Sequence, residues 1–324
     1  MMKTLALALV LAVAAVPAAA QWKPEVKFLK IGVSSAGGDW FRAGAKFSTI
    51  IPEALPGLAS STVIGGGVVN VTRIGKGEAQ MAFALTPYPE QGYKGESKHY
   101  PTPIKNVRLI ASNLGRHVTV AMIVLKDSPI KSIQDIKGKR IVAGDRGWGT
   151  TELAESFMAA AGLPPDKFKA DGGTISYTSI TDRSKALQDK NVDAIFIPAQ
   201  VNYPDLMAVQ QSSGLRVIGF SDDVVSKALV TMPGLVKSTV PKGLYGVAGD
   251  NLGTAGFLQQ LIVDAGLSDE LVYRITKLWW ERIKDIHEIA PGLDQANVKL
   301  AMEHATIPFH PGALRYYKEV GVAR

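Results

Sequence analysis

The 324-residue chain contains no cysteine. This absence excludes a disulfide framework, a thiolate metal site and a lipid-modified cysteine at a processed N-terminus. A secreted protein without such a lipid anchor stays near its membrane only where a second membrane confines it. The absence therefore favours the periplasm of a Gram-negative cell over the surface of a single-membrane cell.

The motifs of common catalytic and nucleotide-binding sites are also missing. There is no G-x-S-x-G elbow and no Walker A loop, and neither glycine cluster matches G-x-G-x-x-G. The histidines form no H-x-x-x-H or H-E-x-x-H pair; they are His99, His117, His287, His304 and His310. We therefore expect no catalytic residue, no metal and no cofactor, and we do not expect an enzyme.

Long runs of basic residues are lacking, although the formal net charge is +7. The lysines and arginines are scattered, and no run is longer than the pair Lys139 and Arg140. A scattered positive charge favours solubility and a weak steering of anions. It does not form the basic patch of a nucleic-acid-binding surface, so we expect no nucleic-acid partner.

One apolar run stands at the N-terminus. Lys3 precedes the run, which spans residues 4–16, and Pro17 follows it before an Ala-Ala-Ala sequence that ends at Ala20. This layout predicts a secretory signal peptide over residues 1–20 and a periplasmic mature protein. The run is shorter than the roughly 20 apolar residues of a membrane span, and the alternative is an uncleaved N-terminal anchor.

Strands, glycine-rich loops and helices alternate along the mature chain. The predicted strands cover residues 28–33, 61–64, 80–85, 107–112, 118–125, 140–143, 192–197 and 215–219. Between them, Ala43, Phe47, Ile50 and Ala54 recur at helical spacing. This alternation predicts an α/β fold with parallel strands.

Three further segments carry expectations of their own. Residues 86–106 are rich in Pro, Gly, Tyr and Lys, which predicts a long surface loop. Residues 129–139 contain isoleucines at a three-residue step, which predicts a short helix. Ser268, followed by two acidic residues, is typical of a helix N-terminus, and we expect Trp279 in the core beneath that helix.

Three glycine loops precede predicted helices, at residues 34–39, 65–67 and 144–150. Glycine lets a ligand approach the backbone closely, and the first N–H groups of a helix attract anions. Ligands of open α/β sheets bind at the carboxyl ends of strands, where these loops lie. The loops therefore predict a cleft for a carboxylate; the alternative is that each loop is only a tight turn.

Aromatic and basic side chains accompany two of these loops. Trp40 and Trp148 are predicted to form apolar walls of the cleft, and the alternative is an indole packed on the surface. Arg42 and Arg146 could each hold a ligand carboxylate through a bidentate fork. Equally, Arg146 could pair with Asp145 beside it.

The same loops resemble those of the TAXI family, the solute receptors of tripartite ATP-independent periplasmic (TRAP) transporters. Residues 35–41 resemble the family's first glycine-rich loop, and Ile64 to Asn70 is similar to its Ser-Thr-Gly-Gly-Ser-x-x-Asn segment. The further similar segments are residues 136–150, 192–196 and 307–317. The resemblance extends over nearly the whole mature chain.

The resemblance implies a type II periplasmic-binding-protein fold of two α/β lobes joined by hinge strands. Lobe 1 would hold residues 28–118 plus 256–324, and lobe 2 would hold residues 119–255. His310 and the Pro-Gly after it would be structural. The implied ligand-binding residues, together with those of the loops above, are Gly37, Gly38, Asp39, Trp40, Arg42, Gly66, Gly67, Asn70, Thr86, Arg146, Trp148, Gly149 and Thr150.

The implied function is a receptor that closes on a small carboxylate, such as glutamate or 2-oxoglutarate, and delivers it to a TRAP membrane permease. Several residues depart from the family pattern: Asp39, Trp40, Val68, Arg146, Trp148 and the segment 86–89. Two tryptophans and fewer hydroxyls indicate a bulkier or less polar ligand. The alternatives are a receptor of an ATP-driven transporter, a sensor subunit and a periplasmic enzyme.

Overall fold

A computed structural model describes residues 22–34, 36, 38–146, 148–199 and 201–323. The predicted signal peptide, residues 1–20, and the candidate Gly37 lie outside the described residues. None of the described helices has the length and apolar character needed to cross a bilayer.

The described strands form two mixed sheets, so the α/β fold class is confirmed. In chain order they are β1 (Phe28–Val33), β2 (Ala59–Ile64), β3 (Met81–Leu85), β4 (Val107–Ala111), β5 (Val118–Leu125), β6 (Arg140–Gly144), β7 (Thr174–Tyr177), β8 (Ala194–Pro198), β9 (Leu215–Ile218), β10 (Leu235–Thr239), β11 (Gly253–Phe257) and β12 (Gln259–Asp264). The first sheet has the order β2-β1-β3-β12-β4. The second has the order β10-β11-β5-β8-β6-β7, with β9 beside β5.

The expectation of parallel strands holds for only part of each sheet. Strand β1 is parallel to β2 and β3, and β6 is parallel to β7 and β8. Strands β12 and β5 are antiparallel to their neighbours. The chain crosses between the sheets twice, after β4 and at Leu258 between β11 and β12, and β5 and β12 directly follow these crossings.

Eleven helices of the described residues cover the sheets. They are α1 (Asp39–Ala54), α2 (Gly67–Gly75), α3 (Tyr88–Lys94), α4 (Gly149–Ala160), α5 (Pro165–Ala170), α6 (Ile180–Gln188), α7 (Pro204–Ser213), α8 (Asp222–Thr231), α9 (Asp269–Glu281), α10 (Ile283–His287) and α11 (Pro311–Glu319). Helix α1 shows why they form: Ala43, Phe47 and Ile50 are buried at the predicted spacing. Ala54 is exposed and Leu55 is buried instead.

The core of the first sheet is aromatic. Trp279 of α9 is fully buried, as predicted, and its ring meets Phe47 edge-on at 5.1 Å and Phe83 at 5.8 Å between centroids. Ser268 begins α9 by accepting a hydrogen bond from the N–H of Leu271. Burial of such large rings dominates the energetics of a core.

The prediction of a long surface loop over residues 86–106 is wrong. Helix α3 lies within this segment, and the rings of Tyr88 and Tyr100 are buried. The polar composition was misleading because these two aromatic rings supply the buried surface that anchors the segment. The predicted helix over residues 129–139 is also shorter than expected: a single 3-10 turn spans Ile133–Ile136.

Candidate functional site

A cavity of about 360 Å³ lies between the two sheets, where several strands end and helices begin. Its volume falls in the range of about 300–1,000 Å³ that is typical of small-molecule sites. The lining residues come from both sheets and their loops: Ser34, Gly38, Asp39, Trp40, Arg42, Gly65, Gly66, Gly67, Val69, Leu85, Val118, Arg146, Trp148, Gly149, Thr150, Pro198, Val201, Tyr203 and Gln259.

Four helix N-termini meet at this cavity. The N-cap residues of helices α1, α2, α4 and α7 are Gly38, Gly66, Trp148 and Tyr203. No side-chain hydrogen bond caps any of these four helices. The other described helices of nine or more residues are α6, α8, α9 and α11, and a side-chain hydrogen bond caps each of these four. Uncapped first-turn N–H groups carry the positive end of the helix dipole. Their convergence makes the cavity favourable for an anion.

At the start of α1 the predicted pair Asp39 and Arg42 lines the cavity. The guanidinium Nη2 of Arg42 lies 2.6 Å from the Oδ1 of Asp39. The side chain of Asp39 is 13% exposed and that of Arg42 is 42% exposed. The carboxylate is therefore already engaged, and Arg42 keeps part of its guanidinium towards solvent.

Trp40 does not stand as a free wall of the cavity. It is 7% exposed, stacks on Phe83 at 5.6 Å between centroids, and donates its indole N–H to the Oε1 of Gln259 at 2.6 Å. The amide of Gln259 in turn donates to the carbonyls of Arg116 and Gly292. Trp40 thus contributes one edge to the cavity while its ring belongs to the core.

Two predicted site residues, Asn70 and Thr86, do not line the cavity. Asn70 is fully buried and donates its amide to the carbonyls of Val33 and Phe83. A Cβ on Gly65 would lie 2.2 Å from its Oδ1, so Asn70 supports the second glycine loop from beneath. The hydroxyl of Thr86 accepts from the N–H of Leu258, which ties β3 to the second crossing.

In the loop after β6, Asp145 does not line the cavity, and its carboxylate does not pair with the neighbouring Arg146. Its carboxylate lies 2.8 Å from the guanidinium of Arg183, a residue that is 2% exposed. The guanidinium of Arg146 lies 4.3 Å from the ring centroid of Tyr177, a cation–π contact, and Arg146 is one of the residues that line the cavity. The expected alternative of an Arg146–Asp145 pair is therefore wrong.

Trp148, Gly149 and Thr150 line the cavity at the N-terminus of α4. Trp148 is 37% exposed, which is high for an indole. A Cβ on Gly149 would lie 2.8 Å from the hydroxyl of Tyr88, so glycine lets α4 approach the opposite side closely. Gly38, Gly66 and Gly67 line the cavity from the first-sheet side.

Sequence reasoning missed several lining residues, above all Tyr203. Burial raises the pKa of the Tyr203 hydroxyl, and the nearby Asp39 carboxylate raises it further. The signal was available: Tyr203 precedes Pro204, and proline is favoured in the first turn of a helix. Pro198 is the last residue of β8 and Val201 lies between β8 and α7, so both stand where a strand leads to a helix, whereas Gln259 had no local signal.

A second cavity of about 270 Å³ lies beside the first crossing. Arg116, His117, Ser238 and Gln295 are among its lining residues. Arg116 makes a bidentate contact with Asp294, and His117 lies 3.2 Å from the hydroxyl of Ser238. Arg116 and His117 thus have partners within the protein, and we assign this cavity no ligand.

Among the described residues, no cluster of histidines and carboxylates could hold a metal ion. The charged residues that line the first cavity are Asp39, Arg42 and Arg146. The cavity offers apolar walls, four helix N-termini and two guanidinium groups, which are the features of an anion-binding cleft.

Residues 31–321 match the model of the NMT1-like family, and the chain belongs to this family. Among solved structures, the chain is similar to the periplasmic aliphatic sulphonate binding protein SsuA from Escherichia coli, with 15% identity and a TM-score of 0.48 over 83% of this chain and 79% of that chain. It is also similar to a TctC solute binding protein from Polaromonas, with 16% identity and a TM-score of 0.48 over 81% and 87%.

A third similar structure is a putative L-cystine ABC transporter protein from Listeria monocytogenes. The identity is 13% and the TM-score is 0.47, over 84% of this chain and 99% of that chain.

Proposed function

We propose that this protein is a periplasmic solute receptor that closes on a carboxylate-bearing molecule and delivers it to a membrane transporter. The observation that carries the proposal is the convergence of four uncapped helix N-termini from both sheets on one cavity. Each N-terminus favours an anion. Because two belong to each sheet, a ligand would touch both sides only when they are close together.

We propose that ligand binding closes the two sides over the cavity. We propose that the two sheets are the centres of two lobes, residues 28–118 plus 256–324 and residues 119–255, and that the two crossings act as hinges. A ligand that gains contacts only in the closed form shifts the equilibrium towards that form. We propose that the protein releases the ligand unchanged.

For the membrane partner we propose a permease of the TRAP type. Support comes from the sequence segments that resemble the TAXI receptors, at residues 35–41, 64–70, 136–150 and 307–317. Reconstitution of the receptor with its permease in vesicles tests this assignment. We expect uptake to follow an imposed ion gradient without ATP; uptake that requires ATP would assign the receptor to the other transporter class.

Ligand binding is tested by a thermal-shift screen of small organic acids and amino acids. A ligand that binds only the folded state raises the melting temperature by mass action, by about 2.7 kcal/mol of stability at a hundredfold excess over Kd. We expect at least one organic anion to raise it. The receptor function is wrong if no organic anion does so, or if the bound compound is recovered chemically changed.

The fluorescence of Trp148 gives a second readout for the best compound of that screen. Because this indole is partly exposed within the cavity, closure over a ligand should change its emission. We expect Trp148→Phe to lose most of the change. Trp22→Phe is the matched control, since Trp22 stacks under Arg274 at 4.7 Å and does not line the cavity.

A further inference from the structure

The cavity limits the charge that a ligand can carry. Asp39 and Arg42 neutralise each other at 2.6 Å, which leaves the guanidinium of Arg146 as the remaining full charge of the described lining residues. Among the described lining residues, a second ligand carboxylate would meet no second cation that lacks a carboxylate partner. The one carboxylate that the described lining offers to a ligand ammonium is that of Asp39, which is already paired.

The apolar part of the lining is large and comes from both sides. Val69 and Leu85 lie on the first-sheet side, and Val118 lies at the start of β5. The second-sheet side adds Trp148, Pro198 and Val201. Val69 is 45% exposed and Trp148 is 37% exposed, unusually high values for large apolar side chains. Exposed apolar surface of this kind indicates a site that an apolar group covers.

We infer that the ligand is an organic monoanion: one carboxylate on an aromatic or bulky aliphatic body, with no second charge. This inference deepens the proposed function and rests on it. The carboxylate would lie at the helix N-termini near Arg146, and the body would lie against Trp148 and the valines. Dicarboxylates and amino acids would each bring a charge that the site leaves unpaired, which costs more than about 1.4 kcal/mol, or a factor of about ten in Kd.

The test is a calorimetric and thermal-shift comparison of matched probes. The monocarboxylates are benzoate, 3-phenylpropionate and indole-3-acetate. L-Phenylalanine adds an ammonium to 3-phenylpropionate, glutarate replaces its ring by a second carboxylate, and 3-phenylpropanol removes its charge. We expect at least one monocarboxylate to bind about tenfold or more tighter than each of the three comparison probes.

Variants locate the two halves of the ligand. Arg146→Gln and Trp148→Ala are each expected to weaken monocarboxylate binding about tenfold or more. Arg315→Gln is the matched control, because the guanidinium of Arg315 lies 3.8 Å from the ring centroid of Tyr273, outside the cavity. Tighter binding of glutarate or phenylalanine overturns the monoanion inference and leaves the receptor intact. If no organic anion binds, the receptor proposal fails as well.

Glu152, in the first turn of α4 on the second-sheet side, is the centre of a polar cluster beside the cavity. Its carboxylate accepts hydrogen bonds from three side chains of the first-sheet side: the hydroxyl of Tyr88 at 2.9 Å, the ammonium of Lys98 at 2.9 Å and the ring Nε2 of His99 at 2.7 Å. All three donors lie between β3 and β4. The side chain of Glu152 is 18% exposed and Tyr88 is fully buried, whereas the side chain of Lys98 is 75% exposed, so water competes little for the Tyr88 bond.

We propose that this Glu152 cluster is a clasp that holds the two sheets together beside the cavity, in addition to any ligand. It joins α4 to the segment between β3 and β4, and these two meet only when the sheets are close. None of its four residues lines the cavity. Loss of the clasp therefore shifts the ligand-free protein towards an open form. This second proposal rests on the lobe movement of the proposed function, but its test needs no ligand.

The chain has no cysteine, so Thr49→Cys on α1 and Lys185→Cys on α6 allow a spin label on each side without background. Pulsed electron–electron distance measurement on the ligand-free protein then reports the opening. We expect Glu152→Ala and Tyr88→Phe to enlarge the population at long distance. Glu155→Gln is the matched control, since Glu155 accepts from Tyr177 at 2.7 Å within the second-sheet side.

Two outcomes of the distance measurement test the clasp. A longer distance in Glu152→Ala and Tyr88→Phe, with an unchanged distance in Glu155→Gln, supports the clasp. An unchanged distance distribution in Glu152→Ala, with native circular dichroism, overturns it even if ligand binding is intact.

Discussion

Arg183 is a buried cation that fixes the loop after β6. Its guanidinium donates to the carbonyl of Phe196 at 2.6 Å and to Asp145 at 2.8 Å. Removal of the guanidinium leaves the carbonyl of Phe196 and the partly buried carboxylate of Asp145 without this partner, which costs about 3 kcal/mol. We expect Arg183→Met to lower the free energy of unfolding by this amount in urea denaturation.

The comparison for this prediction is Arg140→Met. Arg140 pairs with Asp193 at 2.8 Å, but its side chain is 50% exposed, and exposed pairs contribute about 0–1 kcal/mol. Equal losses of stability in Arg140→Met and Arg183→Met would show that burial of the Arg183 pair does not matter.

His310 makes the stability depend on pH. Burial lowers its pKa below the ordinary 6.5, although Asp269 opposes this and Arg108 reinforces it. Its Nε2 lies 3.1 Å from the carbonyl of Leu267, and its Nδ1 accepts from the N–H of Gly312. The neutral ring fits both bonds, and protonation of Nδ1 would break the second.

The sign follows from this lowered pKa. The contribution of neutral His310 is fully present above pH 6.5 and is lost as the pH falls through the lower folded value. We expect urea denaturation at pH 8, 6.5 and 5 to show falling stability, with a weaker fall in His310→Gln. His304→Asn, at an exposed histidine, should keep the wild-type profile.

At the scale of elements, helix α11 depends on a close approach to α9. A Cβ on Gly312 would lie 2.3 Å from the carbonyl oxygen of Asp269 and 2.7 Å from the nitrogen of Tyr273, both backbone atoms. We expect Gly312→Ala to destabilise the protein by about 1–3 kcal/mol, because one helix must move. Gly249→Ala, where nothing lies within 4 Å, should change the stability by only a few tenths of a kcal/mol. A loss of that small size in Gly312→Ala as well would contradict the contact.

How far elements could be predicted depended on whether their signal was local. The stripe of α1 and the Ser268 cap are set by spacing and by one hydrogen bond, so both were readable. Helix α3 was missed because its burial depends on Tyr88, whose partners Glu152 and Phe257 are distant in sequence. The antiparallel β12 was missed for the same reason, since its pairing with β3 and β4 is a tertiary fact.

Prediction of the candidate site residues likewise depended on whether their sequence signal was local. Glycine loops at strand ends predicted where the cavity lies, and most of the candidates among the described residues line it. Trp40 was predicted only to form a wall of the cavity. Its hydrogen bond to Gln259 joins residues that are 219 positions apart, so no local pattern indicates it. Asn70 and Thr86 support the loops from beneath, and no sequence spacing distinguishes support from contact.

For the whole molecule, the arrangement of the core bears on how it unfolds. The larger core cluster is continuous across both sheets: it includes Leu29 and Phe83 of the first and Met122 and Phe196 of the second. The continuity runs near the crossings, where Tyr88 packs at 6.0 Å on Phe257 of β11. The two proposed lobes could therefore open as rigid bodies and still share one folding unit.

We accordingly expect a single calorimetric unfolding transition for the ligand-free protein, with equal calorimetric and van't Hoff enthalpies. Glu152→Ala should also unfold in one transition, because loss of the Glu152 cluster leaves the core at the crossings in place. Phe257→Ala removes a fully buried ring there and should cost about 3–5 kcal/mol. Two resolved transitions in the wild-type protein would mean that the sheets fold independently and that the crossings are linkers.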